Sequence, residues 1–332
     1  MKRLNVLVTA CGSVLGIEII KTLKMSEVNH RLICTDYFKD ALGLYWGEQA
    51  YLLPDVLNKK LVSEEEWLKE VISIIRAESI DIVFIGIDFE VELFSKYKNQ
   101  IESKTNSTVV VSDYDKVMVG RDKWKTVCFL EEHNFPFPLS CLPDKVDNLL
   151  LKKDFPLVVK PRFGNRSKDF HVVNNLKELH QVLLSTPMPI VQEYLPNEKQ
   201  EFTCGALYYN EVLSIVTLKR DLKLGNTFRA YSDDYPEIDA YIKQVTMALQ
   251  PFGPANYQLR LTEKGPVIFE INPRFSGTTS MRALFGINEI DILLKKIFDN
   301  HFDKIPEKRK GVIMRYYENY YLSWEMFNNM GK

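Results

Sequence analysis

The 332-residue sequence lacks closely spaced cysteines, long apolar runs and a large net charge of either sign. Its five cysteines are widely separated and never spaced as Cys-x-x-Cys, which argues against a zinc site and favours a reducing compartment. We therefore expect a cytoplasmic protein. No apolar run approaches the roughly 20 residues of a membrane helix, so we expect no membrane association.

The charge balance also limits the class of partner. Lys and Arg together number 43 and Asp and Glu 44, and the basic residues are scattered along the chain. Nucleic-acid binding depends on clustered basic residues, so we expect no nucleic-acid partner. The length, with 45% hydrophobic residues, predicts two or three domains with substantial cores.

The first third of the chain alternates strand and helix patterns. Ser63 and Glu66 form a capping box before a helix that runs to Ala77. Other segments read as strands at 4–9, 31–35 and 80–87 and as a helix at 16–24. The last of these strands is continuously apolar, as a buried parallel strand should be. Residues 1–112 are therefore predicted to form a doubly wound parallel α/β domain.

A complete dinucleotide-binding fingerprint is missing after the first strand. Cys11 and Ser13 occupy the first two glycine positions of the Gly-x-Gly-x-x-Gly pattern, although Gly16 and the later Asp36 agree with it. NAD binding is accordingly a weak alternative. Asp88, Glu90 and Glu92 follow the strand at 80–87, where they form either a solvated loop or a substrate contact.

The most informative segment is the apolar strand from Val267 to Gly277. Alternation along a strand places Glu270, Asn272 and Arg274 on one face. Mg²⁺ prefers oxygen ligands and shares them with phosphates, while Arg offers a two-point fork to phosphate. Gln258 lies on the preceding strand of the same predicted hairpin, where it can share one cation with Glu270. The alternative is a sheet strand with a polar outer face.

A second candidate phosphate-binding segment lies earlier in the chain. The strand from Phe155 delivers Lys160 into a loop of small and cationic residues that ends at Ser167. Such a loop can lay backbone N–H groups over phosphates. A surface lysine is the alternative for Lys160 alone. A helix is predicted to begin in the segment 121–125 and to run to about His133.

Taken in order, these motifs resemble the ATP-grasp superfamily. The similarity is greatest to its carbamoyl-phosphate-synthase-like and carboxylate–amine ligase branch, and it covers essentially the whole chain. The residues that carry it are Lys123, Lys160, Gln192-Glu193-Tyr194-Leu195, Glu201, Gln258 and Glu270-Ile271-Asn272-Pro273-Arg274. Gln258 stands where the family more often has a glutamate.

The resemblance implies a two-lobed ATP-grasp fold over residues 113–332, with a small lobe at about 155–196. It implies ATP and Mg²⁺, or Mn²⁺, as cofactors. The implied roles are phosphate contacts for Lys123, Lys160 and Ser167, adenine contacts for Glu193, Tyr194 and Leu195, a ribose contact for Glu201, metal ligands for Gln258, Glu270 and Asn272, and catalytic roles for Lys160 and Arg274.

Such a site predicts a ligase. A carboxylate attacks the γ-phosphorus of ATP, and an amine then displaces phosphate from the acyl phosphate to give an amide. The candidates for carboxylate binding are Arg220, Arg260 and Arg282, with Lys219 and Arg229, each of which has a salt bridge as its alternative. The partners expected are a small carboxylate, an amine and a second copy of the chain in a homodimer.

Two other functions stay open. One is carboxy or carbamoyl phosphate formation, which needs a biotin carrier or a glutamine amidotransferase that we do not find in this sequence. The other is a non-catalytic or NAD-linked nucleotide-binding protein, which the Glu270, Asn272 and Arg274 trio disfavours.

Overall fold

The computed structural model describes residues 2–164, 169–196, 200–263, 265–299 and 305–330, and within these ranges it contains three β-sheets. The first third holds strands β1 (Leu4–Val8), β2 (His30–Asp36), β3 (Gln49–Leu52), β4 (Ile82–Phe84) and β5 (Thr108–Val110), with helices α1 (Val14–Leu23), α2 (Glu64–Ala77) and α3 (Asp88–Thr105). All neighbouring pairs are parallel, in the order β3-β2-β1-β4-β5. The predicted parallel sheet is confirmed.

This sheet is buried on both faces because its strands are apolar at successive positions. On β1, Val6 and Val8 contact one hydrophobic cluster, and Leu7 between them contacts another. Helix α2 begins at the predicted capping box, where Glu66 N donates to Ser63 Oγ at 3.2 Å and Ser63 N donates to Glu66 Oε2 at 2.8 Å. These two hydrogen bonds fix the residue at which the helix starts, and the apolar residues of α2 then face the sheet.

The middle of the chain forms a four-stranded antiparallel sheet in the order β6-β9-β7-β8. Its strands are β6 (Ser140–Cys141), β7 (Leu157–Pro161), β8 (His171–Val173) and β9 (Pro189–Glu193), and the helices around it are α4 (Tyr114–Arg121), α5 (Lys123–Glu132), α6 (Val146–Leu150) and α7 (Leu176–Ser185). The helix predicted to begin within residues 121–125 and to run to about His133 is α5, and the separate helix α4 precedes it. They separate at Asp122, whose extended backbone and side-chain cap on Trp124 N start α5.

The last third forms a six-stranded antiparallel sheet in the order β14-β13-β10-β11-β12-β15. Its elements are β10 (Glu201–Tyr208), β11 (Val212–Lys223), β12 (Asn226–Ser232), β13 (Gly253–Thr262), β14 (Gly265–Asn272) and β15 (Gly311–Met314), with α8 (Pro236–Leu249), α9 (Thr279–Leu284), α10 (Glu289–Phe298) and α11 (Trp324–Asn329). Strands β13 and β14 pair with Gln258 opposite Glu270, as the predicted hairpin requires.

Some local expectations differ from the structure. The strand predicted at 80–87 is limited to β4, and Asp88, Glu90 and Glu92 lie on α3 rather than in a loop. The domain boundary at 112 and the small lobe at 155–196 stay predictions. The last strand of the parallel sheet ends at Val110. Strand β6, which lies before residue 155 in the sequence, pairs with β9 and so belongs to the four-stranded sheet. No helix among the described residues is long and apolar enough to cross a membrane.

Candidate active site

A cavity lies between the four-stranded and six-stranded sheets, and we call it the first cavity. Side chains from β7, β9, β10, β11, β13 and β14 line it. Most of the predicted site residues meet there: Lys123, Lys160, Glu193, Tyr194, Leu195, Glu201, Arg220, Gln258, Arg260 and Glu270. Ser167, predicted to contact phosphate, lies outside the described residues.

Lys160 is held in place by a chain of hydrogen bonds across the four-stranded sheet. Its Nζ donates to Gln192 Oε1 at 2.8 Å, and Gln192 Nε2 donates to Ser140 Oγ at 2.9 Å. The bonds form because β9 lies between β6 and β7, which brings all three side chains to one face. Lys160 is only 7% exposed, so its ammonium depends on the cavity for compensation.

The electrostatics of this wall favour a polyanion. Burial lowers the pKa of Lys160 to about 8, and the nearby Lys123 ammonium adds to this effect while Glu270 opposes it. Burial likewise lowers the pKa of Lys123, with Glu270 acting in the opposite direction. The two ammonium groups are buried and repel each other. A shared negative ligand would stabilise both, because it offsets their repulsion and replaces lost hydration.

A partly buried ion pair positions Lys123. Arg162 Nε donates to Asp122 Oδ1 at 3.0 Å and Arg162 Nη2 to Asp122 Oδ2 at 2.5 Å, joining the start of α5 to the segment after β7. Lys123 N also donates to Arg162 O at 3.1 Å, and its Nζ donates to Gly164 O at 3.0 Å. The two predicted phosphate-binding lysines are therefore held on one structural unit.

The segment predicted to hold adenine follows β9 along the cavity. Glu193 N donates to Leu139 O at 2.8 Å, and Leu139 N donates to Glu193 Oε2 at 3.0 Å. The Glu193 side chain is thus fixed to the neighbouring strand, with Lys153 Nζ 3.4 Å from its Oε1. The Leu195 carbonyl accepts a hydrogen bond from Arg260 Nη1.

Glu201, predicted to contact ribose, is paired with two arginines. Arg220 Nη2 donates to Glu201 Oε1 at 2.7 Å and Arg260 Nη2 to Glu201 Oε2 at 3.1 Å. Arg220 Nη2 also donates to Gln258 Oε1 at 2.7 Å. Glu201 and Gln258 are therefore joined with the two arginines in one hydrogen-bond network on neighbouring strands, although ribose, metal and substrate binding were predicted as separate roles.

The predicted metal ligands converge as the strand alternation requires. Asn272 Nδ2 donates to Glu270 Oε1 at 2.8 Å, and Gln258 Nε2 approaches the same oxygen at 3.4 Å. The group supplies one carboxylate and two amides, and a half-turn of either amide presents an oxygen. No cluster of three or more His, Cys, Asp or Glu suited to a metal occurs in the described part of the chain. The donors suit Mg²⁺, which binds through few carboxylates together with phosphate oxygens.

Arg274 lies just past the end of β14 and still faces these residues. Its Nη2 donates to Asn272 Oδ1 at 3.1 Å and its Nε to Asp88 Oδ1 at 2.5 Å. Of the three acids after β4, only Asp88 is at the site. Glu90 is fully buried against Thr9 and Tyr37, and Glu92 pairs with Arg121.

A second cavity adjoins the first and is lined by the parallel-sheet domain as well as the six-stranded sheet. It includes Ser13 at the start of α1, Asp88 at the start of α3, and Arg274. The two cavities share Arg220, Gly225, Gln258 and Glu270. Two of the three predicted metal ligands, Gln258 and Glu270, therefore stand at the junction of the two cavities, and Asn272 contacts the junction through its hydrogen bond to Glu270.

Comparisons with known proteins give the same architecture. The family model described as ATP-grasp in the biosynthetic pathway with Ter operon matches residues 185–320. The biotin carboxylase domain of 2-oxoglutarate carboxylase from Hydrogenobacter thermophilus, solved with MgADP, ADP and bicarbonate, superposes with a TM-score of 0.69 at 12% identity, over 94% of this chain and 74% of that chain. This chain has the ATP-grasp fold.

Two further proteins are similar to this chain, one in structure and one in sequence. L-amino acid ligase from Bacillus licheniformis has a TM-score of 0.66 at 18% identity, covering 89% of this chain and 74% of that one. Carbamoyl-phosphate synthase of Methanobrevibacter smithii is 25% identical over 181 residues, which are 54% of this chain and 46% of that protein. The match spans less than half of this relative. The predicted resemblance to the ATP-grasp superfamily is confirmed.

The ATP-grasp fold brings further residues to the second cavity that the sequence did not reveal. Thr203 Oγ1 donates to Asn256 Oδ1 at 2.9 Å, so the amide oxygen of Asn256 is engaged and its Nδ2 is the remaining polar atom of the side chain. Asn256 is only 2% exposed. Within the described ranges, neither this Nδ2 nor Thr227 Oγ1 donates a hydrogen bond to the protein. Asn256 could have been found from strand alternation, because it lies two residues before Gln258.

Arg315 also lines the second cavity, where its Nη2 donates to the Gly277 carbonyl and lies 3.5 Å from Glu18 Oε1. It follows β15, far from every recognised motif. No local pattern marks it as a site residue, since an arginine after an exposed strand is usually solvated.

Three of the candidate substrate-binding cations lie elsewhere. Arg282 is fully buried; it pairs with Glu289 at 2.7 Å and donates to Thr278 Oγ1 at 2.7 Å, so it braces the loop that lines the second cavity. Arg229 pairs with Asp221 at 3.3 Å. Neither Arg229 nor Lys219 is among the described residues that line the two cavities.

The glycine-containing loop after β1 is closely packed. Gly12 N donates to Asp36 Oδ2 at 2.8 Å, and a Cβ on Gly12 would lie 2.5 Å from Ala41 Cβ. Asp36 also accepts from Tyr37 N at 2.7 Å and is 6% exposed. These glycine and aspartate positions therefore serve the packing of this domain.

Proposed function

We propose that this protein is an ATP- and Mg²⁺-dependent carboxylate–amine ligase that forms an amide through an acyl phosphate. The observation that carries the proposal is the junction of the two cavities at Gln258 and Glu270. A nucleotide in the first cavity and a second molecule in the other would meet there. Phosphoryl transfer requires this arrangement of attacking group, phosphorus and leaving group.

On the nucleotide side, Lys123 and Lys160 would hold the phosphates, and the segment from Glu193 to Leu195 would hold adenine. Glu270, Asn272 and Gln258 would hold Mg²⁺, which when bound neutralises charge on the phosphates. Glu201 orients Arg220 and Arg260 on the ribose side of the cavity. The lysines supply charge without acting as nucleophiles.

In the second cavity, Asn256 Nδ2 and Thr227 Oγ1 would donate hydrogen bonds to the carboxylate substrate, with Arg274 beside them. One carboxylate oxygen attacks the γ-phosphorus, the bond to the β-phosphate bridging oxygen breaks, and ADP leaves. The amine nitrogen then attacks the acyl carbon, phosphate leaves and the amine loses a proton. The bound nucleotide and substrates would have to exclude water from the cavity, because water would hydrolyse the acyl phosphate.

The test is ADP release with Mg²⁺ and ATP against a matrix of defined carboxylate and amine pools, followed by mass spectrometry of the products. We expect release that needs both pools and an amide product heavier by the amine minus water. Asn256→Asp should raise KM for the active carboxylate while leaving KM for ATP nearly unchanged, since it replaces the donor by a negative group. ADP release that needs no carboxylate would overturn the proposal.

A second candidate is formation of carboxy or carbamoyl phosphate. The similarity to a carbamoyl-phosphate synthase and to a carboxylase domain solved with bicarbonate favours it. It predicts ADP release that depends on bicarbonate and proceeds without an organic acid. Assays in bicarbonate-depleted and bicarbonate-supplemented buffer separate the two candidates.

A nucleotide-binding protein that uses NAD is the least supported candidate, because Asp36 and Gly12 are engaged in packing. ATP with Mg²⁺ should raise the melting temperature by mass action, whereas NAD or NADP should not. A thermal shift with NAD alone would favour this candidate over a ligase.

A further inference from the structure

The end of the described chain presents an unpaired strand edge. Strand β15 is the last strand of the six-stranded sheet and pairs with β12 on one side. Its Val312 and Met314 side chains are 55% and 65% exposed, while Ile313 between them packs against the core. An exposed apolar edge of this kind is a template for pairing with another strand.

The hydrogen-bonding groups of this edge can be assigned from the register. Arg315 N donates to Phe228 O at 2.8 Å, so residue 315 faces β12. Alternation along an antiparallel pair then turns the N–H and C=O groups of Val312 and Met314 away from β12. These two residues offer the donors and acceptors that a further antiparallel strand needs.

An aromatic segment continues directly from this edge. Tyr316, Tyr317, Tyr320, Tyr321 and Trp324 are 76%, 94%, 49%, 87% and 78% exposed. With roughly 150–250 Å² for each buried aromatic side chain, their exposed parts amount to roughly 600–950 Å². A standard interface buries about 800 Å² on each partner, so this segment alone is large enough for a stable dimer.

The segment is fixed to the rest of the molecule. The Tyr320 ring lies 6.3 Å from Trp46 in an edge-on contact, and Lys39 Nζ lies 4.7 Å from the Phe327 ring. Met330 packs against the core cluster that includes β1. A preformed apolar surface loses little conformational entropy on association.

We propose that β15 and the aromatic segment 316–324 form the interface of a homodimer, with β15 pairing antiparallel to β15 of a second copy across a twofold axis. An antiparallel strand edge complements itself under a twofold rotation, so a second copy satisfies its donors and acceptors. The charges around it are mixed, since residues 307–325 carry four Lys or Arg side chains and three Glu side chains. Two copies therefore do not repel, whereas a nucleic acid or anionic membrane would need one sign of charge.

The interface would also reach the second cavity. Arg315 follows Met314 directly and lines that cavity, so pairing through β15 would hold the strand that positions its guanidinium. The dimer then stabilises one wall of the cavity without placing a residue of the second copy in it.

The experiment is sedimentation velocity of the full chain over a hundredfold range of concentration. We expect a monomer–dimer equilibrium whose dissociation constant rises at least tenfold in the double variant Val312→Lys and Met314→Lys, because charge on the edge opposes pairing. The matched control is Leu151→Lys with Leu184→Lys, which alters two leucines that are 86% and 91% exposed on the four-stranded-sheet side. Circular dichroism checks that each variant is folded.

Hydrogen exchange followed by mass spectrometry locates the contact. The peptide containing Val312 and Met314 should exchange more slowly as the wild-type chain dimerises, and no such change should occur in the edge variant. A wild-type chain that stays monomeric over the whole range overturns the proposal. So does a dimer that the control variant weakens as much as the edge variant, or one that leaves exchange at 312–314 unchanged.

Discussion

The Arg274 guanidinium donates from Nε to Asp88 Oδ1 at 2.5 Å, although the two residues are 186 positions apart in the sequence. Arg274 follows the strand that carries Glu270, and Asp88 begins α3, the helix after β4 of the parallel sheet. The pair therefore joins the parallel-sheet domain to the predicted metal ligands. It also sets the direction of the guanidinium at the edge of the second cavity.

Glu270→Gln should reduce Mg²⁺-dependent ADP release by at least ~100-fold, because a metal ion that contributes several kcal/mol loses the carboxylate of its cluster. The melting temperature should change little, since glutamine keeps the size of the side chain. The control is Glu263→Gln at the exposed turn of the same hairpin. A Glu270→Gln enzyme with nearly normal turnover would remove the metal assignment.

Lys160→Ala should weaken ATP binding by about 1–3 kcal/mol, the range for loss of a charge-assisted hydrogen bond. Lys152→Ala changes an exposed lysine before β7 and should leave the affinity unchanged. Isothermal titration calorimetry with ATP and Mg²⁺ measures both. Equal affinities for the two variants would show that Lys160 does not contact the nucleotide.

The pH dependence of ATP binding should follow the ammonium of Lys160. Its pKa in the free protein is lowered to about 8, so the charged form that attracts phosphate is complete below that pH and is lost above it. The dissociation constant for ATP should therefore rise as pH increases beyond about 8. Lys160→Arg keeps its charge over this range and should give a flatter profile between pH 7 and 9, which calorimetry in matched buffers tests.

Arg274→Lys should lower kcat more than it weakens ATP binding, because lysine keeps the charge but loses the two-point fork used as the phosphoryl group transfers. Asp88→Asn should shift kcat in the same direction by releasing the guanidinium. Turnover, nucleotide affinity and melting temperature are measured on both variants. A destabilised but fully active Arg274→Lys enzyme would show a purely structural role.

Glu90→Gln should reduce the pH dependence of stability. Burial raises the pKa of Glu90 from 4.5 to about 7, so between these values the folded state keeps a proton that the unfolded chain has lost. The resulting stability is complete below pH 4.5 and is lost as pH rises through about 7.

The free energy of unfolding of Glu90→Gln minus that of the wild type should therefore be larger at pH 8 than at pH 5. Urea denaturation at both values measures it, and Glu92→Gln, at a partly exposed position on the same helix, serves as the control. A constant difference between wild type and Glu90→Gln at the two pH values would contradict this assignment.

Local periodicity accounts for the parts of the site that were predicted. The alternation of β14 places Glu270 and Asn272 on one face, and the hairpin register places Gln258 opposite Glu270. The capping box fixed the start of α2. These relationships depend on backbone geometry over a few residues, which the sequence expresses directly.

The partners of charged side chains were decided only by the tertiary structure. Arg282 resembled a substrate-binding cation but is buried against Glu289, and Glu201 is shared by two arginines from neighbouring strands. Strand and helix periodicity predicts which face a side chain occupies, but its partner depends on how separate sheets pack. For the same reason the sequence by itself determined the parallel sheet and the polar hairpin of the site, whereas the pairing of Asp88 with Arg274 and the position of Arg315 required the assembled fold.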